Sequence, residues 1–383
     1  MPITDKVIGK YAAKTIYGRN QRIPLVREGT MIRPSMLETM RRQGITWVWV
    51  LDSLFPDLYV REAVKNETLE VARKSLEDTF QLVQMDQRPS EKRAADLVAS
   101  VQAMVEDIIS NRDVVANVSH LRVWDNYTFE HSVHVAILTA IIAKHLKMTP
   151  DQMTRIGVGA ILHDIGKLMV PQEILQKPAT LTPEEMDVIR QHPVLGWDLV
   201  HEGFSSIMPT SSIVVRQHHE RLDGSGYPDG RKGDDIYLFS RIVAAADVFD
   251  ALRAERAYRP VYTPRRILQT IREETGPKLD PRAVEALLTH VAIIPEGEIV
   301  RLTNGLLGMV VTTNPGYALQ PVVQVVADDR DQPVEREMLD LKETPVEVDC
   351  VLDDWPELVE ERVAARMSRH SDAGSTEATA IGD

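Results

Sequence analysis

Five histidines and two aspartates lie in one region of this chain where their side chains could bind metal. Asp164 follows the letters ILH and precedes IGK, and Asp247 follows VAAA, so both carboxylates are predicted to be buried. Burying an unpaired carboxylate is costly, and buried anions are therefore paired or coordinate metals. The full set is His131, His163, Asp164, His192, His218, His219 and Asp247.

This combination of side chains indicates a transition metal. Imidazole together with carboxylate suits Fe, Mn, Zn or Ni, whereas Ca and Mg prefer oxygen ligands. Seven groups exceed what one metal needs, so two metals that share a carboxylate are the economical arrangement. A lone histidine on an apolar helix is more often a core residue, and on that ground His134 and His145 are interpreted as structural.

A glycine-rich loop follows the histidine pair, with the sequence HHERLDGSGYPDG over residues 218–230. An ordinary tight turn explains its glycines and its proline. A turn alone does not explain why two histidines enter the loop or why Tyr227 stands at its tip.

Three motifs in order resemble a known family. HDIGK, with the earlier and later histidines and Asp247, resembles the HD phosphohydrolase superfamily. HHERLDGSGYPDG resembles its HD-GYP subgroup, the cyclic di-GMP phosphodiesterases of bacterial signalling, and ADVFDAL with the later R and YR follows in family order. The resemblance covers roughly residues 100–295, about half of the chain.

The resemblance implies two divalent metal ions, Fe or Mn, that share Asp164. One metal would be held by His131, His163, Asp164 and Asp247, and the other by Asp164, His192, His218 and His219. A hydroxide that bridges the metals would attack phosphorus in line with the leaving 3′ oxygen. The substrate would be cyclic di-GMP, opened to pGpG, with a second cut to GMP left open.

Further roles are implied by the resemblance alone. Lys167 would contact substrate phosphate, and Asp164 and Lys167 would be the catalytic residues. Tyr227, Arg256 and Arg259 would hold the bases and phosphates of the dinucleotide. Asp223 and Asp250 would orient the metal ligands, as supporting carboxylates do.

Two departures from the family pattern bear on these roles. Some members carry a glutamate four residues before the first histidine, where it helps to bind a third metal; that position here is Tyr127. Glu130 is adjacent to His131, and adjacent helical residues do not share a face. A two-metal site is therefore favoured, and a third metal stays an open question. In ALRAERAYRP, Arg253 and Ala257 would change the base contacts.

Three alternative functions share parts of this pattern. Another HD hydrolase, acting on deoxynucleoside triphosphates or guanosine tetraphosphate, would not need the GYP loop or the paired arginines. A sensor that binds cyclic di-GMP without hydrolysis usually lacks some HD or GYP residues, and none is missing here. A purely structural helical scaffold does not account for seven spaced ligands.

The elements that must position these residues are predicted to be helices. TPDQ at 149–152 and TPEE at 182–185 each offer an N-cap, a first-turn proline and a Gln or Glu at the third position. We predict a mainly α fold, in which a helical HD-type bundle is flanked by a small N-terminal α+β module and a small C-terminal β module. The predicted divisions are an α+β module at 1–58, a helical linker at 59–99, a catalytic domain at 100–295, a β module at 296–352, and an acidic helix with a disordered tail at 353–383. Trp47–Leu51 is predicted to be a strand.

Composition narrows the class of protein. The net charge of −13 argues against a partner that is a nucleic-acid polymer. A single cysteine, Cys350, suits a reducing compartment, and the N-terminus has no apolar signal region, so a cytoplasmic protein is expected. The longest apolar run, 135–143, is too short to insert across a membrane. The amphipathic helices expected between 59 and 111 are a candidate homodimer surface, although core packing is their commoner use.

Overall fold

The computed structural model describes residues 1, 3–18, 24–45, 48–58, 60, 62–85, 91–111, 115, 127–175, 177, 179–204, 207–253 and 262–366. The described residues fall into two compact units. The first, here called the terminal unit, combines those of Met1–Val60 with those of Ile294–Asp383. The second, the helical unit, takes those of Arg61–Leu121 and Asn126–Ile293.

The N-terminal part of the terminal unit is a small α+β arrangement. Strands β1 (Ile16–Tyr17) and β2 (Pro24–Val26) pair antiparallel, and helix α1 (Pro34–Arg42) begins at Pro34. Its buried residues, among them Val7 and Met40, form one apolar cluster. The strand predicted at Trp47–Leu51 is not formed by its described residues, since they make only a single bridge from Val50 to Ala12. Trp47 lies outside the described residues.

The C-terminal part of the terminal unit is an antiparallel sheet. Its strands are β3 (Ile299–Leu302), β4 (Leu307–Thr312), β5 (Val322–Ala327), β6 (Met338–Asp340) and β7 (Val348–Leu352), in the order β6-β5-β4-β3-β7. The β3–β4 hairpin turns at Gly305, whose φ of 86° favours glycine. A further helix covers 357–366.

The two parts of the terminal unit share a core. Leu54 and Phe55 pack in one cluster with sheet residues and with Trp355. The ring of Trp355 stacks on Phe55 at 6.1 Å, and its Nε1 donates a hydrogen bond of 2.8 Å to Asp52 Oδ2. The modules predicted at 1–58 and 296–352 therefore build one compact unit rather than two.

The helical unit is built from eleven named helices within the described residues. They are α2 (Asn66–Gln84), α3 (Glu91–Ser110), α4 (Tyr127–His145), α5 (Pro150–Leu162), α6 (Gln172–Leu175), α7 (Pro183–Ile189), α8 (His192–Gly203), α9 (Pro209–Gln217), α10 (Leu238–Arg253), α11 (Pro264–Glu274) and α12 (Pro281–His290). A 3₁₀ helix at Ile165–Met169 follows α5. These helices, with the antiparallel sheet, confirm the predicted mainly α fold.

The predicted helix starts are present. The Thr149 side chain accepts a hydrogen bond from Gln152 N, and the Gln152 side chain accepts one from Thr149 N; Thr182 and Glu185 make the same reciprocal cap on α7. These caps satisfy backbone groups that a helix start otherwise leaves unpaired. They fix where α5 begins, and α5 ends at the first His-Asp pair.

Helix α4 is the central helix of the unit. Residues 133–143 are buried all round, and α4 packs against α2, α3, α5, α10 and α12. Helices α2 and α3 also pack on each other, and α3 packs on α5. The segment predicted as a linker at 59–99 thus supplies helices to the helical unit. Among the described residues, none of the helices has both the length and the apolar character that a membrane span requires.

Candidate metal centre

Asp164 lies at the junction of two helices. His163 caps the C-terminus of α5, and Asp164 starts the 3₁₀ helix that follows. Each of these residues is 1% exposed. The change of helix type at this point places an imidazole and a carboxylate side by side in the interior of the unit, with His163 Nε2 3.3 Å from Asp164 Oδ2.

Three imidazoles around Asp164 are held by the same backbone contact. Nδ1 of each lies close to the carbonyl oxygen three residues earlier: His163 to Ala160 at 2.6 Å, His192 to Ile189 at 2.7 Å, and His218 to Val215 at 2.8 Å. Because a carbonyl can only accept, Nδ1 must carry the proton, which leaves Nε2 as an acceptor in a neutral ring. Nε2 is therefore the ligand atom in all three histidines.

These Nε2 atoms are directed at Asp164 and at each other. Nε2 of His192 is 3.3 Å from Asp164 Oδ1, and Nε2 of His218 is 4.0 Å from the same atom. The two Nε2 atoms are themselves 3.2 Å apart. Since neither carries a proton in the tautomer that the carbonyls impose, two lone pairs face one another. A cation that both nitrogens bind would remove the repulsion between these lone pairs.

His131 and Asp247 form the other side of the cluster. His131 Nε2 lies 3.1 Å from Asp247 Oδ1 and 3.9 Å from Asp164 Oδ2. Its Nδ1 donates a 2.6 Å hydrogen bond to Asp250 Oδ2. A carboxylate behind a ligating histidine fixes the ring and makes it more basic. Asp250, on α10, lies directly behind His131, and its supporting role stays a prediction.

His219 joins the two sides. Its Nδ1 is 3.9 Å from Asp247 Oδ2. The candidate ligand atoms form two sets, and within each set all of the atoms lie within 4.8 Å of one another. One set comes from Asp164, His192, His218 and His219, and the other comes from His131, His163 and Asp164. Asp164 belongs to both sets; Asp247 belongs to neither, although its Oδ1 lies 3.1 Å from His131 Nε2.

Unpaired polar atoms test whether a metal fits here. His163 Nε2 and Asp164 Oδ1 are buried and make no hydrogen bond. Buried polar atoms are almost always paired, and leaving one unpaired costs about 1–3 kcal/mol. Since one is an unprotonated imidazole nitrogen and the other a carboxylate oxygen, only a donor or a cation can satisfy them. The residues present therefore fit a divalent metal.

The electrostatics favour ligand-competent forms. Burial lowers the pKa of His192 to about 4, and burial with neighbouring histidines lowers the pKa of His218 well below its usual value. Burial opposes ionisation of Asp164, but His163 and Lys167 outweigh it and hold the pKa well below its usual value. At neutral pH His192 and His218 are therefore neutral imidazoles, and Asp164 is a charged carboxylate.

A cation is also favoured beside His131. Burial opposes the charge on His131, yet its bonds to Asp247 and Asp250 raise its pKa well above the usual value. Two carboxylates around one buried imidazole make this a place where positive charge is stabilised.

Lys167 and Tyr227 lie at the edge of the cluster. Lys167 Nζ donates a 2.6 Å hydrogen bond to Asp164 Oδ2, and its side chain is 29% exposed. The ring of Tyr227 stacks on His219 with centroids 4.6 Å apart, and the Arg190 guanidinium lies 5.9 Å from the Tyr227 centroid. The exposed edge of the site therefore carries an ammonium, a phenol and a guanidinium.

A buried glutamate holds the glycine-rich loop in place. The Glu220 carboxylate, 2% exposed, accepts hydrogen bonds from the backbone N–H of Asp229 at 2.8 Å and of Arg231 at 2.9 Å. These bonds tie the chain just after Tyr227 back to Glu220, which follows the end of α9. The sequence analysis missed this role of Glu220, although its place directly after the histidine pair was a usable signal.

One predicted site residue, Asp223, does not join the cluster, and two others cannot be placed because they are not among the described residues. Asp223 is exposed and accepts hydrogen bonds from the backbone and hydroxyl of Ser225, which shape the loop. Asp223 therefore organises a turn in this structure rather than a metal ligand. Arg256 and Arg259 lie outside the described residues.

Tyr127 occupies the position at which some members of the family carry a glutamate, and Glu130 lies three residues later on the same helix. Tyr127 is the first residue of α4, and its side chain lies outside what the structure describes. Glu130 is buried and paired with Arg73 of α2, with Arg73 Nε 2.6 Å from Glu130 Oε1. Glu130 thus faces α2. Sequence reasoning missed Arg73, because the pairing needs two helices to be brought together.

Comparison with known proteins gives a consistent picture. A family model described as HD domain matches residues 103–283. A Pseudomonas aeruginosa protein named cyclic di-GMP phosphodiesterase is 33% identical over 275 residues, which cover 70% of this chain and 64% of that protein. A Xanthomonas campestris protein named cyclic di-GMP phosphodiesterase response regulator is 40% identical over 159 residues, which cover 42% of this chain and 41% of that protein. Some relatives from Vibrio cholerae are instead named 3′3′-cGAMP-specific phosphodiesterases.

The fold has a counterpart among solved structures. A Bdellovibrio bacteriovorus protein described as HDG"Y"P aligns with a TM-score of 0.51 and 17% identity, over 73% of this chain and 95% of that chain. At that identity the likeness concerns the fold alone. The chain spans between about two fifths and two thirds of the two curated relatives described above. These findings confirm the resemblance stated from the sequence.

Proposed function

Because this chain carries an HD domain over residues 103–283 and has relatives of the HD-GYP type, we propose that it is a metal-dependent phosphodiesterase that hydrolyses cyclic di-GMP. The first product would be linear pGpG, with a second cut to GMP left to the experiment. We propose that the protein acts in the cytoplasm, because its single cysteine, Cys350, suits a reducing compartment.

One observation carries the proposal. Two sets of ligand atoms meet at Asp164, and within them His163 Nε2 and Asp164 Oδ1 are buried without a hydrogen bond. We propose that His131, His163, Asp164 and Asp247 hold one metal and that Asp164, His192, His218 and His219 hold the other. Fe or Mn suits this mixture of imidazole and carboxylate, so these are the proposed ions.

When bound, such metals would lower the pKa of a coordinated water and so supply a hydroxide nucleophile near neutral pH. The chain's own residues do the rest. Asp164 and Asp247 place two negative charges among the ligands, and the tautomers fixed at His163, His192 and His218 keep their Nε2 lone pairs available. Asp250 orients His131 through its 2.6 Å hydrogen bond.

Lys167 would neutralise charge on the substrate. Its Nζ is within reach of Asp164, and its partly exposed stem lets it contact a phosphate oxygen at the same place. Hydrolysis forms a P–O bond from water, breaks the P–O3′ bond and leaves the proton on the 3′ oxygen. Positive charge placed on the non-bridging oxygens stabilises that transition state.

Substrate identity rests on the glycine-rich loop and the arginines. Tyr227, Arg256 and Arg259 are proposed to hold the bases and the second phosphate of cyclic di-GMP. Two alternatives stay in view: a sensor that binds cyclic di-GMP without hydrolysis, and an HD hydrolase of another nucleotide. The names of the relatives favour a cyclic dinucleotide.

The test is turnover by the full chain, purified without oxygen and loaded with Mn²⁺ or Fe²⁺. We expect cyclic di-GMP to yield pGpG, two metals per chain in the active protein, and little turnover of deoxynucleoside triphosphates or guanosine tetraphosphate. Binding without turnover under both metals would establish the sensor. Fewer than two metals in active protein would contradict the binuclear site.

A single substitution separates metal chemistry from binding. Asp164→Ala removes the carboxylate common to both ligand sets, so we expect loss of both metals and of turnover, while some nucleotide binding survives. Asp198→Ala, which removes an exposed carboxylate from α8, is the matched control and should keep both metals. Undiminished turnover in Asp164→Ala would eliminate the bridging role.

A further inference from the structure

We infer that Arg73, on the helix that precedes the HD domain, is a positioning residue for His131 and hence for one metal of the proposed site. This inference rests on the proposed function. Arg73 lies on α2, and the HD family match begins only at residue 103.

Arg73 and Glu130 form a buried two-point ion pair. Arg73 Nε is 2.6 Å from Glu130 Oε1, and Nη2 donates a 3.0 Å hydrogen bond to Oε2. The side chains are only 15% and 10% exposed. Of these two contacts, the one from Nη2 has the geometry of a hydrogen bond, and the short Nε contact adds electrostatic attraction to the other oxygen of the same carboxylate. Contacts to both oxygens limit how far the Glu130 carboxylate can turn. Arg73 also contacts Glu70 on its own helix, which anchors the guanidinium.

The pair sets the rotation of α4 about its axis. Glu130 and His131 are consecutive on α4, and consecutive helical residues point about 100° apart. While Glu130 is gripped by α2, His131 is turned towards Asp247 at 3.1 Å. A rotation that loosened Glu130 would swing His131 away from the cluster.

A second contact reaches the same histidine. His134, one turn after Glu130, has Nε2 3.9 Å from Glu130 Oε2 and Nδ1 3.7 Å from Asp250 Oδ1. Asp250 in turn holds His131 Nδ1 at 2.6 Å. Buried polar groups, spaced up to 3.9 Å apart at His134, therefore lie in a row from Arg73 on α2, through α4, to the carboxylate on α10 that orients His131.

The HD domain by itself would contain Glu130 without its cation. A buried carboxylate that loses its partner is strongly destabilising, so the matched region needs α2 to be complete. Helix α2 thus belongs to the metal-binding apparatus, although its sequence is typical of a linker.

A purely structural pair is the competing explanation, and a double substitution separates the two. Replacing a buried ion pair by apolar side chains of similar size is often neutral for stability. The double variant Arg73→Met, Glu130→Leu would therefore restore the packing of α2 against α4 without restoring the ion pair.

The experiment titrates Mn²⁺ into the metal-free full chain and measures, in parallel, the Tm of the metal-free protein. For Arg73→Met we expect a lower Tm and about tenfold weaker binding of one of two Mn²⁺ equivalents, in the range seen when a supporting partner of a ligand is lost. The double variant should recover its Tm and keep the weak equivalent. Arg73→Lys keeps the positive charge but not the planar guanidinium. Its Tm and its Mn²⁺ affinity should lie between those of the wild-type chain and those of Arg73→Met.

Arg93→Met is the matched control, since Arg93 pairs with Asp78 at 2.8 Å in a more exposed place, and it should bind both equivalents normally. A double variant with normal Tm and normal Mn²⁺ binding would overturn the positioning role. Wild-type chain that binds two Mn²⁺ but hydrolyses no cyclic di-GMP would overturn the proposed function alone. Wild-type chain that binds no Mn²⁺ would overturn both.

Discussion

Three histidines in the cluster owe their chemistry to one backbone contact each. His163, His192 and His218 all point Nδ1 at the carbonyl three residues earlier, so each is held in the tautomer whose Nε2 can bind a metal. Each of these carbonyls belongs to the last turn of a helix, where a carbonyl can accept a hydrogen bond from a side chain. A histidine just after such an end therefore gains its orientation from local structure.

Tyr227 offers a prediction at the same scale. If its ring holds a base by stacking, Tyr227→Phe should leave KM for cyclic di-GMP within about twofold, whereas Tyr227→Ala should raise KM about tenfold or more, since base–aromatic stacking contributes about 1–3 kcal/mol. Steady-state kinetics of the metal-loaded chain measure both.

Tyr317→Ala is the control for the tyrosine series, because Tyr317 is 51% exposed in the terminal unit. Its KM should not change. An equal rise of KM in Tyr227→Phe and Tyr227→Ala would show that the hydroxyl is the contact, and an unchanged KM in Tyr227→Ala would remove Tyr227 from the substrate site.

At the scale of elements, the cluster depends on how closely two helices approach. A Cβ added to Gly166, in the 3₁₀ helix, would stand 2.5 Å from Gly196 N of α8 and closer still to the carbonyl oxygen of His192. Only glycine permits this approach, and it brings Asp164 to His192. The glycine of the HDIGK motif thus has a packing role that its sequence context did not reveal.

We expect Gly166→Ala to lower the free energy of unfolding by about 3 kcal/mol or more, because two backbones must separate, and overpacking alone typically costs about 1–3 kcal/mol. Bound metal should fall in the same variant, since Asp164 and His192 move apart. Urea unfolding of the metal-free chain and elemental analysis give the two readouts.

Gly157→Ala is the comparison for Gly166→Ala. Its added Cβ would meet only the Val101 Cγ1 methyl, at 2.8 Å, which a side chain can yield, and alanine also favours the α5 helix by about 1 kcal/mol. The loss of stability should therefore be smaller than in Gly166→Ala. Equal losses in the two variants would contradict the backbone argument.

At the scale of the whole molecule, the two ends of the chain meet in one unit. Asp52 binds Trp355, and the Ser53 hydroxyl and Lys10 ammonium both donate to Glu360. The N-terminal α+β part and the C-terminal sheet thus depend on each other, while the helical unit lies between them in the sequence.

Trp355→Phe should therefore loosen both ends together. The substitution keeps an aromatic ring near Phe55 but removes the 2.8 Å hydrogen bond to Asp52, at a cost of about 1–2 kcal/mol. Hydrogen exchange read by mass spectrometry should speed up in both 24–58 and 299–352, and not in α4 or α5.

Trp197→Phe, in α8 of the helical unit, is the control and should leave exchange in the terminal unit unchanged. Faster exchange in 299–352 alone, after Trp355→Phe, would mean that the N-terminal part folds independently.

The sequence by itself determined much of this protein. The caps at Thr149 and Thr182 and the mainly α class follow from local patterns, because helix starts are specified within a few residues. The seven candidate ligands were grouped by their resemblance to a family, and six of them lie in the two clusters of ligand atoms. The order of the motifs along the chain was also enough to indicate the family.

Only the tertiary structure decided which partners meet. Arg73 and Glu130 are 57 residues apart, and Asp52 and Trp355 are 303 apart. No local pattern records such pairs, because they depend on how helices and chain ends pack. For the same reason, the sequence alone predicted a linker where α2 lies, a supporting role for Asp223, and separate modules at the two ends of the chain.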